Sequence, residues 1–143
     1  MRETTTARAF SILITDDDRG CREALCEIIG QEGFRTLTAE SGEEALEIVA
    51  ADTVHLVLLD FNMPRLTGLE TLQLVRQINA LLPCILVTAN ASEDLMRQAF
   101  SVRAYSVIPK PVSKNMLLYT MIRALMKVYG PLLEKLHEDP EHS

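Results

Sequence analysis

The sequence predicts an α/β protein in which one open parallel sheet is covered by helices on both faces. Short apolar runs alternate with longer segments of helical periodicity, and the alternation repeats five times along the chain. The run at 55–59 (HLVLL) is apolar throughout, which is typical of a strand in the middle of a parallel sheet. We expect one domain over 9–129, followed at 130–143 by a tail or the start of a linker.

Five apolar runs are the predicted strands. They are short, rich in branched aliphatic residues and bounded by polar, glycine or proline positions. They cover residues 10–14, 34–38, 55–59, 83–87 and 105–108.

The segments between these runs carry apolar residues at helical spacing. Ser41 and Glu44 have the spacing of a capping box at the second helix, and Ser92 is the predicted N-cap of the fourth. Gly130 and Pro131 are expected to end the last helix. The apolar positions of the first, third and fifth helices include Cys21, Leu25 and Ile28; Leu69, Leu72 and Val75; and Leu117, Met121 and Leu125.

Composition excludes several classes of protein. A net charge of −6 repels phosphates, so we expect no direct nucleic-acid binding. No signal peptide or membrane span is visible, so we expect a cytoplasmic location and no membrane partner. Cys21, Cys26 and Cys84 are odd in number and form no Cys-x-x-Cys pair, which favours reduced, packed thiols.

Polar residues stand at the predicted carboxyl ends of the strands, where open parallel sheets bind their ligands. If the first and third strands are neighbours, their acids converge on one edge of the sheet. The residues at these ends are Asp16, Asp17 and Asp18 after the first strand, Asp60 after the third, Thr88 after the fourth and Lys110 after the fifth.

Three carboxylates at one point require either a raised pKa or a bound cation. Hard oxygen donors with no nearby His or Cys favour Mg²⁺, or Mn²⁺, over zinc. Lys110 would add a fixed positive charge and Thr88 a hydroxyl donor. Such a set is suited to a phosphoryl group in transfer.

Four segments resemble the signatures of response-regulator receiver domains. Residues 12–18 (ILITDDD) are similar to the family's first strand, and residues 56–64 (LVLLDFNMP) to its phosphoacceptor segment. Residues 86–89 (LVTA) and 109–111 (PKP) match the other two signatures, and the resemblance extends over roughly 9–129. It implies a flavodoxin-like, doubly wound (βα)5 fold with strand order 2-1-3-4-5.

The resemblance implies that Asp60 is the phosphoacceptor, served by a sensor histidine kinase or a phosphotransfer protein. Mg²⁺ would be bound by Asp17, by Asp60, by the backbone carbonyl of Asn62 and, mostly through water, by Asp16.

The same resemblance implies roles for two further side chains. Lys110 would pair with Asp60 and then with the phosphate, and Thr88 would move to hydrogen-bond the phosphate. The surface formed by helix 4, strand 5 and helix 5 would then change its conformation. It would act on a downstream output or form a homodimer. The protein would be a signalling switch that catalyses only its own phosphorylation and slow dephosphorylation.

Two positions depart from the family pattern. The aromatic residue that often precedes the lysine by three positions is replaced by Val107, and Tyr105 stands two residues earlier. The usual Gly-Ala before the fifth strand is replaced by Arg103 and Ala104, and arginine is unfavourable at positive φ.

Some of these residues also have structural interpretations. Asp18 is expected to favour the start of the first helix and not to bind metal, and His55 is expected to be structural. Two other functions are alternatives: a receiver-like interaction module that acts without phosphorylation, and a phosphatase of the haloacid-dehalogenase type. The phosphatase would need Asp-x-Asp with its nucleophile after the first strand, whereas the nucleophile predicted here follows the third.

Overall fold

The structure is a computed structural model that describes residues 7–142, with side chains described for 7–131. Within that range no helix has both the length and the apolar character needed to cross a membrane. The strands are β1 (Ser11–Thr15), β2 (Arg35–Ala39), β3 (Leu56–Asp60), β4 (Cys84–Thr88) and β5 (Ser106–Pro109). The helices are α1 (Arg19–Gln31), α2 (Gly42–Ala51), α3 (Gly68–Ile78), α4 (Glu93–Ser101) and α5 (Lys114–His142).

All five strands are parallel and form one sheet in the order β2-β1-β3-β4-β5, which confirms the predicted fold class and topology. β1 lies between β2 and β3, with Ile14 opposite Leu58. β4 separates β3 from β5, with Asp60 opposite Val87 and Thr88 opposite Pro109. The carboxyl ends of β1 and β3 are therefore adjacent.

Each face of the sheet has its own hydrophobic core, because alternate residues of a strand point to opposite faces. Leu13 and Leu59 pack with the buried residues of α2 and α3 on one face. Ile14 and Leu58 pack with α1 and α5 on the other face. The strands β1, β3 and β4 are buried along their whole length, which explains why their sequences show no polar alternation.

Every strand begins and ends one residue later than the apolar pattern predicts. The ladder continues beyond the apolar run because the backbone of the polar residues at the strand ends is still paired. Phe61 N donates to Val87 O at 2.8 Å, and Lys110 N donates to Thr88 O at 2.8 Å. Asp60 and Thr88 are thus the last residues of their strands, held by the sheet itself.

The predicted capping box of α2 is only half formed. Ser41 Oγ accepts from Glu44 N at 3.1 Å, but the Glu44 carboxylate accepts from Glu40 N at 2.7 Å instead of from the N-cap backbone. A complete capping box occurs at α3, where Thr67 and Glu70 exchange both hydrogen bonds. Its Thr-x-x-Glu pattern is visible in the sequence, but it is not among the helix caps predicted above.

The end of α4 has the unusual backbone expected from the sequence. Arg103 has φ 63°, in the left-handed region that favours glycine. Arg103 N donates to Phe100 O and Ala104 N donates to Ala99 O, which is the Schellman pattern that closes a helix. The neighbouring carbonyl of Arg103 accepts from Arg76 Nη2 at 2.6 Å, which ties this turn to α3.

The prediction that Gly130 and Pro131 end the last helix is wrong, because α5 extends to His142. Proline fixes φ near the helical value, so at 131 it removes one hydrogen bond without preventing the helix from continuing beyond it. Residues 130–143, predicted as a tail or linker, are therefore helical as far as the structure describes them, and Ser143 lies outside the described residues.

His55 joins the first and last parts of the domain. Its Nδ1 accepts from Ser11 N at 3.0 Å, and its carbonyl accepts from Tyr129 Oη at 2.9 Å. Its ring packs edge-on against Phe10 and Tyr129, at centroid distances of 5.3 Å each. These are the contacts of a structural histidine.

The three cysteines are free thiols, as expected. Cys84 is fully buried in β4, and burial raises its pKa to about 12, which keeps it protonated and unreactive. Burial likewise raises the pKa of Cys26, and the side chain of Asp18 raises that of Cys21.

Candidate functional site

The structure brings together the acids that follow β1 and β3. Carboxylate oxygens of Asp16, Asp17 and Asp60 lie within 4.8 Å of one another. Asp16 and Asp60 are buried, whereas Asp17 is exposed at the mouth of the group. The adjacency of β1 and β3 produces this cluster, because each strand delivers its acids to the same edge.

Lys110 supplies the positive charge of the pocket. Its Nζ lies 3.0 Å from Asp60 Oδ1 and 3.6 Å from Asp16 Oδ2. About a quarter of the Lys110 side chain is exposed, so its ammonium reaches inward from the surface. One ammonium thus faces three carboxylates in this pocket.

This imbalance sets the protonation of the pocket. Burial raises the pKa of Asp60, and the negative charges of Asp16 and Asp17 add to the rise, which outweighs the opposing effect of Lys110. Burial lowers the pKa of Lys110, but its hydrogen bond to Asp60 and the acids around it produce a net rise. Lys110 is therefore firmly protonated, while the ionised form of Asp60 is disfavoured until a further cation enters.

Two hydrogen bonds that involve side chains hold the backbone around Asp16. Asp18 N donates to Asp16 Oδ1 at 2.9 Å, and Arg22 Nη1 donates to the Asp16 carbonyl at 2.7 Å. Asp18 occupies the N-cap position of α1, but its side chain makes no capping hydrogen bond and is not among the clustered acids. Arg22, which sequence reasoning did not single out, therefore holds the turn that presents the acids.

Thr88 is fully buried at the end of β4, the strand next to β3. Its hydroxyl accepts from Asn90 N at 3.1 Å, so the side chain is tied to the loop that leads into α4. A cavity of about 310 Å³ opens beside it. The residues that line the cavity are Phe61, Asn62, Thr88, Asn90, Ser92, Asp94, Leu95 and Gln98.

Gly68 is a residue of the site that the sequence analysis missed. A Cβ there would lie 2.5 Å from the Asp60 carbonyl and 2.9 Å from Phe61 Cα, so only glycine fits at the start of α3. Gly68 N also donates to Phe61 O at 3.0 Å. The signal in the sequence was a glycine directly after the capping threonine, where no turn requires one.

Val107 in β5 and Tyr105, directly before this strand, pack on opposite faces of the sheet. Val107 packs against the core shared with α2, α3 and α4, and Tyr105 against the core shared with α1 and α5. Tyr105 is thus not a substitute for an aromatic residue at position 107. It lies instead near α5, with Lys127 Nζ 6.0 Å from its ring centroid.

The donor set fits a hard divalent cation. The clustered ligand atoms are carboxylate oxygens, and none of the three residues is His or Cys. Oxygen donors of this kind are preferred by Mg²⁺ and Mn²⁺, while zinc sites use nitrogen and sulfur. An exposed Asp17 beside two buried acids also leaves one side of the cluster open to solvent.

Strand order and an acidic pocket at the carboxyl edge place the chain among the doubly wound, flavodoxin-like α/β proteins. Within that class the sequence matches the family model for the response regulator receiver domain over residues 12–122. The chain belongs to this family. Response regulator receiver domains are signalling switches and not classical turnover enzymes.

Several curated proteins are similar in sequence. The response regulator MprA of Mycolicibacterium vanbaalenii is 37% identical over 120 residues, which cover 84% of this chain and 52% of that protein. The transcriptional regulatory protein CpxR of Escherichia coli K12 is 36% identical over 116 residues, 81% of this chain and 49% of that protein. The chain spans about half the length of the curated relatives it matches.

Solved structures show the same fold. A CheY-like receiver domain protein from Methanospirillum hungatei superposes with a TM-score of 0.81 at 26% identity, covering 85% of this chain and 98% of that one. The chemotaxis protein CheY4 of Vibrio cholerae superposes with a TM-score of 0.77 at 26% identity, covering 80% of this chain and 98% of that one.

Proposed function

We propose that Asp60 accepts a phosphoryl group and that the domain is switched by this modification. The observation that carries the proposal is the position of the Asp60 carboxylate, buried at the end of β3 between Lys110 and two further acids. A carboxylate oxygen of Asp60 would attack the phosphorus of a phosphohistidine. The phosphorus–nitrogen bond breaks, an acyl phosphate forms, and the imidazole leaves with a proton.

The residues that would hold Mg²⁺ are Asp17, Asp60 and the backbone carbonyl of Asn62, with Asp16 acting mostly through a water molecule. Mn²⁺ fits the same donors. Bound there, the cation supplies positive charge that the phosphate oxygens need and that Lys110 alone does not provide.

Lys110 and Thr88 would act on the phosphate once it is attached. Lys110 is already in contact with Asp60 and is free to exchange that contact for a phosphate oxygen. Thr88 would rotate to donate its hydroxyl, giving up the hydrogen bond that it accepts from Asn90 N. Because that bond ties it to the loop before α4, its movement would be transmitted to the surface of α4, β5 and α5. Slow hydrolysis of the acyl phosphate would reset the switch.

The partner chemistry follows from the same proposal. The phosphoryl donor would be a sensor histidine kinase or a phosphotransfer protein in the cytoplasm. The receiver unit would span residues 9–129. The output would be a downstream domain or protein that reads the surface of α4, β5 and α5, and this surface would also serve a phosphorylation-dependent homodimer. The transcriptional role of relatives such as CpxR is a property of those proteins.

The test is labelling with acetyl phosphate and Mg²⁺, followed by intact-mass measurement. We expect the addition of one phosphate that is lost to hydroxylamine, as acyl phosphates are, and that Asp60→Asn abolishes. Asp52→Asn, which changes an exposed carboxylate at the end of α2, is the matched control and should be labelled like the unmodified chain. Equal labelling of Asp60→Asn would disprove the assignment. Partner binding that is identical with and without the phosphate would favour the phosphorylation-independent module.

A further inference from the structure

The turn between β1 and α1 is held by a largely buried arginine of α1. The Arg22 side chain is only 12% exposed, and its Nη1 donates to the Asp16 carbonyl at 2.7 Å. Its other arm, Nη2, lies 4.0 Å from a carboxylate oxygen of Glu40, whose side chain is well exposed. Withdrawing a guanidinium from water is costly, and an exposed ion pair of this length offsets little of that cost. The short contact of Arg22 is therefore the one to the backbone of the acidic turn.

The peptide group that Arg22 holds is the one that leads into Asp17. The Asp16 carbonyl and the Asp17 amide share one planar peptide, and Asp16 N is paired with Ala39 O at 3.1 Å. With both sides of Asp16 fixed, the direction in which the Asp17 side chain leaves the backbone is fixed as well. Asp17 is the exposed member of the three clustered acids, and within 7–131 its carboxylate has no hydrogen bond or ion pair of its own. Its position therefore depends on this peptide.

Arg22 also holds the far end of the same turn. Its backbone N donates to the Asp18 carbonyl at 3.0 Å, while Asp18 N donates to Asp16 Oδ1 at 2.9 Å. That bond occupies Oδ1 and leaves Asp16 Oδ2 as the oxygen nearer to Lys110 Nζ, at 3.6 Å. One residue of α1 thus binds the carbonyls at both ends of the 16–18 segment, and the acids between them have little freedom to move.

The charge of Arg22 has the wrong sign for a group that attracts a cation. By Coulomb's law alone, a guanidinium beside an acidic pocket weakens the binding of a positive ion, so that its removal would tighten binding. A guanidinium that holds ligands in place has the opposite effect, because its removal frees the ligands and weakens binding. The two roles predict opposite signs for the same substitution.

We propose that Arg22 is a positioning residue for the divalent cation and that it makes the acidic pocket select Mg²⁺ and Mn²⁺ over Ca²⁺. The inference rests on the proposed function, since it takes Asp16, Asp17 and Asp60 as the acids that hold the ion. Mg²⁺ requires ligands at about 2.1 Å in a nearly octahedral arrangement, whereas Ca²⁺ accepts ligands at about 2.4 Å in flexible arrangements. A turn held at both carbonyls favours the smaller, stricter ion, and a loosened turn serves Ca²⁺ almost as well.

The affinity of the full chain for Mn²⁺ tests this proposal, with Mg²⁺ and Ca²⁺ titrated as competitors. The signal of free Mn²⁺ in electron paramagnetic resonance gives the affinity directly. Arg22→Met removes the guanidinium and keeps an apolar stem. We expect Mn²⁺ and Mg²⁺ to bind about tenfold more weakly to this variant and Ca²⁺ at most about twofold more weakly, so that the preference for Mg²⁺ over Ca²⁺ falls about fivefold. Arg22→Lys keeps the charge but not the planar fork, and should weaken Mg²⁺ binding about threefold.

Two substitutions serve as controls. Arg19→Met removes an exposed cation of the same helix that is paired with Glu23, and Mn²⁺ binding should be unchanged or slightly tighter. Glu40→Gln removes the acid beside Nη2 and keeps the contact to the Asp16 carbonyl, so Mn²⁺ affinity should change less than about twofold. Urea unfolding shows that each variant is folded. In the metal-free chain, exchange of the Asp18 amide hydrogen should become faster in Arg22→Met and stay unchanged in both controls.

The outcomes separate this inference from the proposed function. Mn²⁺ binding that is unchanged or tighter in Arg22→Met, or an unchanged preference for Mg²⁺ over Ca²⁺, would overturn the inference alone. Should Arg22→Met fail to fold, Arg22→Lys decides, and an affinity and preference equal to those of the unmodified chain would overturn it. Normal Mn²⁺ binding without phosphate labelling would refute the proposed function alone. An unmodified chain that binds no Mn²⁺ would overturn both.

Discussion

Lys110 Nζ lies 3.0 Å from Asp60 Oδ1, although Asp60 ends β3 and Lys110 follows β5, two strands that are not neighbours in the sheet. β4 separates β3 from β5, and the contact exists because each strand ends at the same edge of the sheet. The Lys110 ammonium also lies near Asp16, so three carboxylates share one ammonium and the pocket is short of positive charge. Both the chemistry of the pocket and its effect on stability follow from this shortage.

Asp60 should lower the stability of the metal-free domain. Burial and neighbouring acids raise the pKa of Asp60 above that of an ordinary carboxyl group. Asp60 therefore adds to the free energy of unfolding only below the ordinary carboxyl range, where it is protonated, and this gain is lost as pH rises through the raised pKa. At pH 7.5 in EDTA, Asp60→Asn should therefore unfold at a higher urea concentration, with a gain of about 1 kcal/mol. The gain should shrink toward pH 4, and Asp52→Asn should show no gain. A loss of stability at pH 7.5 would contradict this explanation.

Gly68 should tolerate no side chain. The Cβ of Gly68→Ala would meet the Asp60 carbonyl and the Phe61 backbone, neither of which can move without disturbing the pocket. We expect a loss of about 2 kcal/mol in urea unfolding, together with weaker Mg²⁺ binding. Gly30→Ala is the control, because a Cβ at Gly30 meets nothing within 4 Å, and alanine in α1 should stabilise the domain by about 0.5–1 kcal/mol. Equal effects of the two substitutions would refute a steric role for Gly68.

Arg103 should be a site of backbone strain. Its φ of 63° is unfavourable for every residue except glycine and, less so, asparagine. Arg103→Gly should raise the free energy of unfolding by about 0.5–1 kcal/mol, after allowance for the extra freedom of glycine in the unfolded chain. Arg103→Ala keeps the strain and should give no gain, so a matching gain for alanine would show that the arginine side chain is responsible.

His55 should make the domain less stable in mild acid. Burial, aided by the charge of Arg35, lowers the pKa of His55 in the native state. Neutral His55 therefore adds to the free energy of unfolding above the unfolded-state pKa, and this gain is lost as pH falls from the unfolded-state pKa through the lowered native pKa. Protonation also removes the acceptor for Ser11 N. The slope of unfolding free energy against pH between 7 and 5 should be smaller in His55→Gln, which cannot titrate. An unchanged slope would show that other groups cause the acid sensitivity.

The sequence predicted the parts of this structure that depend on residue type and order. Apolar runs located five strands, and the residues after them, Asp16, Asp60 and Lys110, proved to be the ones that meet. Strand limits were missed by one residue because hydrogen bonding, and not hydrophobicity, ends a strand. The role of Gly68 and the continuation of α5 beyond Pro131 were missed because both depend on contacts or geometry outside the local pattern.

The measurement that tests the central claim most directly is a double-mutant cycle on Mg²⁺ binding. The claim is that acids from β1 and β3 hold one cation together, so calorimetry should compare the unmodified chain with Asp17→Asn, Asp60→Asn and the double variant. Each single change should weaken binding by at least about tenfold, and the double variant should lose much less than the sum of the two free-energy losses. Losses that add fully, or Mg²⁺ binding unchanged by Asp60→Asn, would show that the two strands do not share a site.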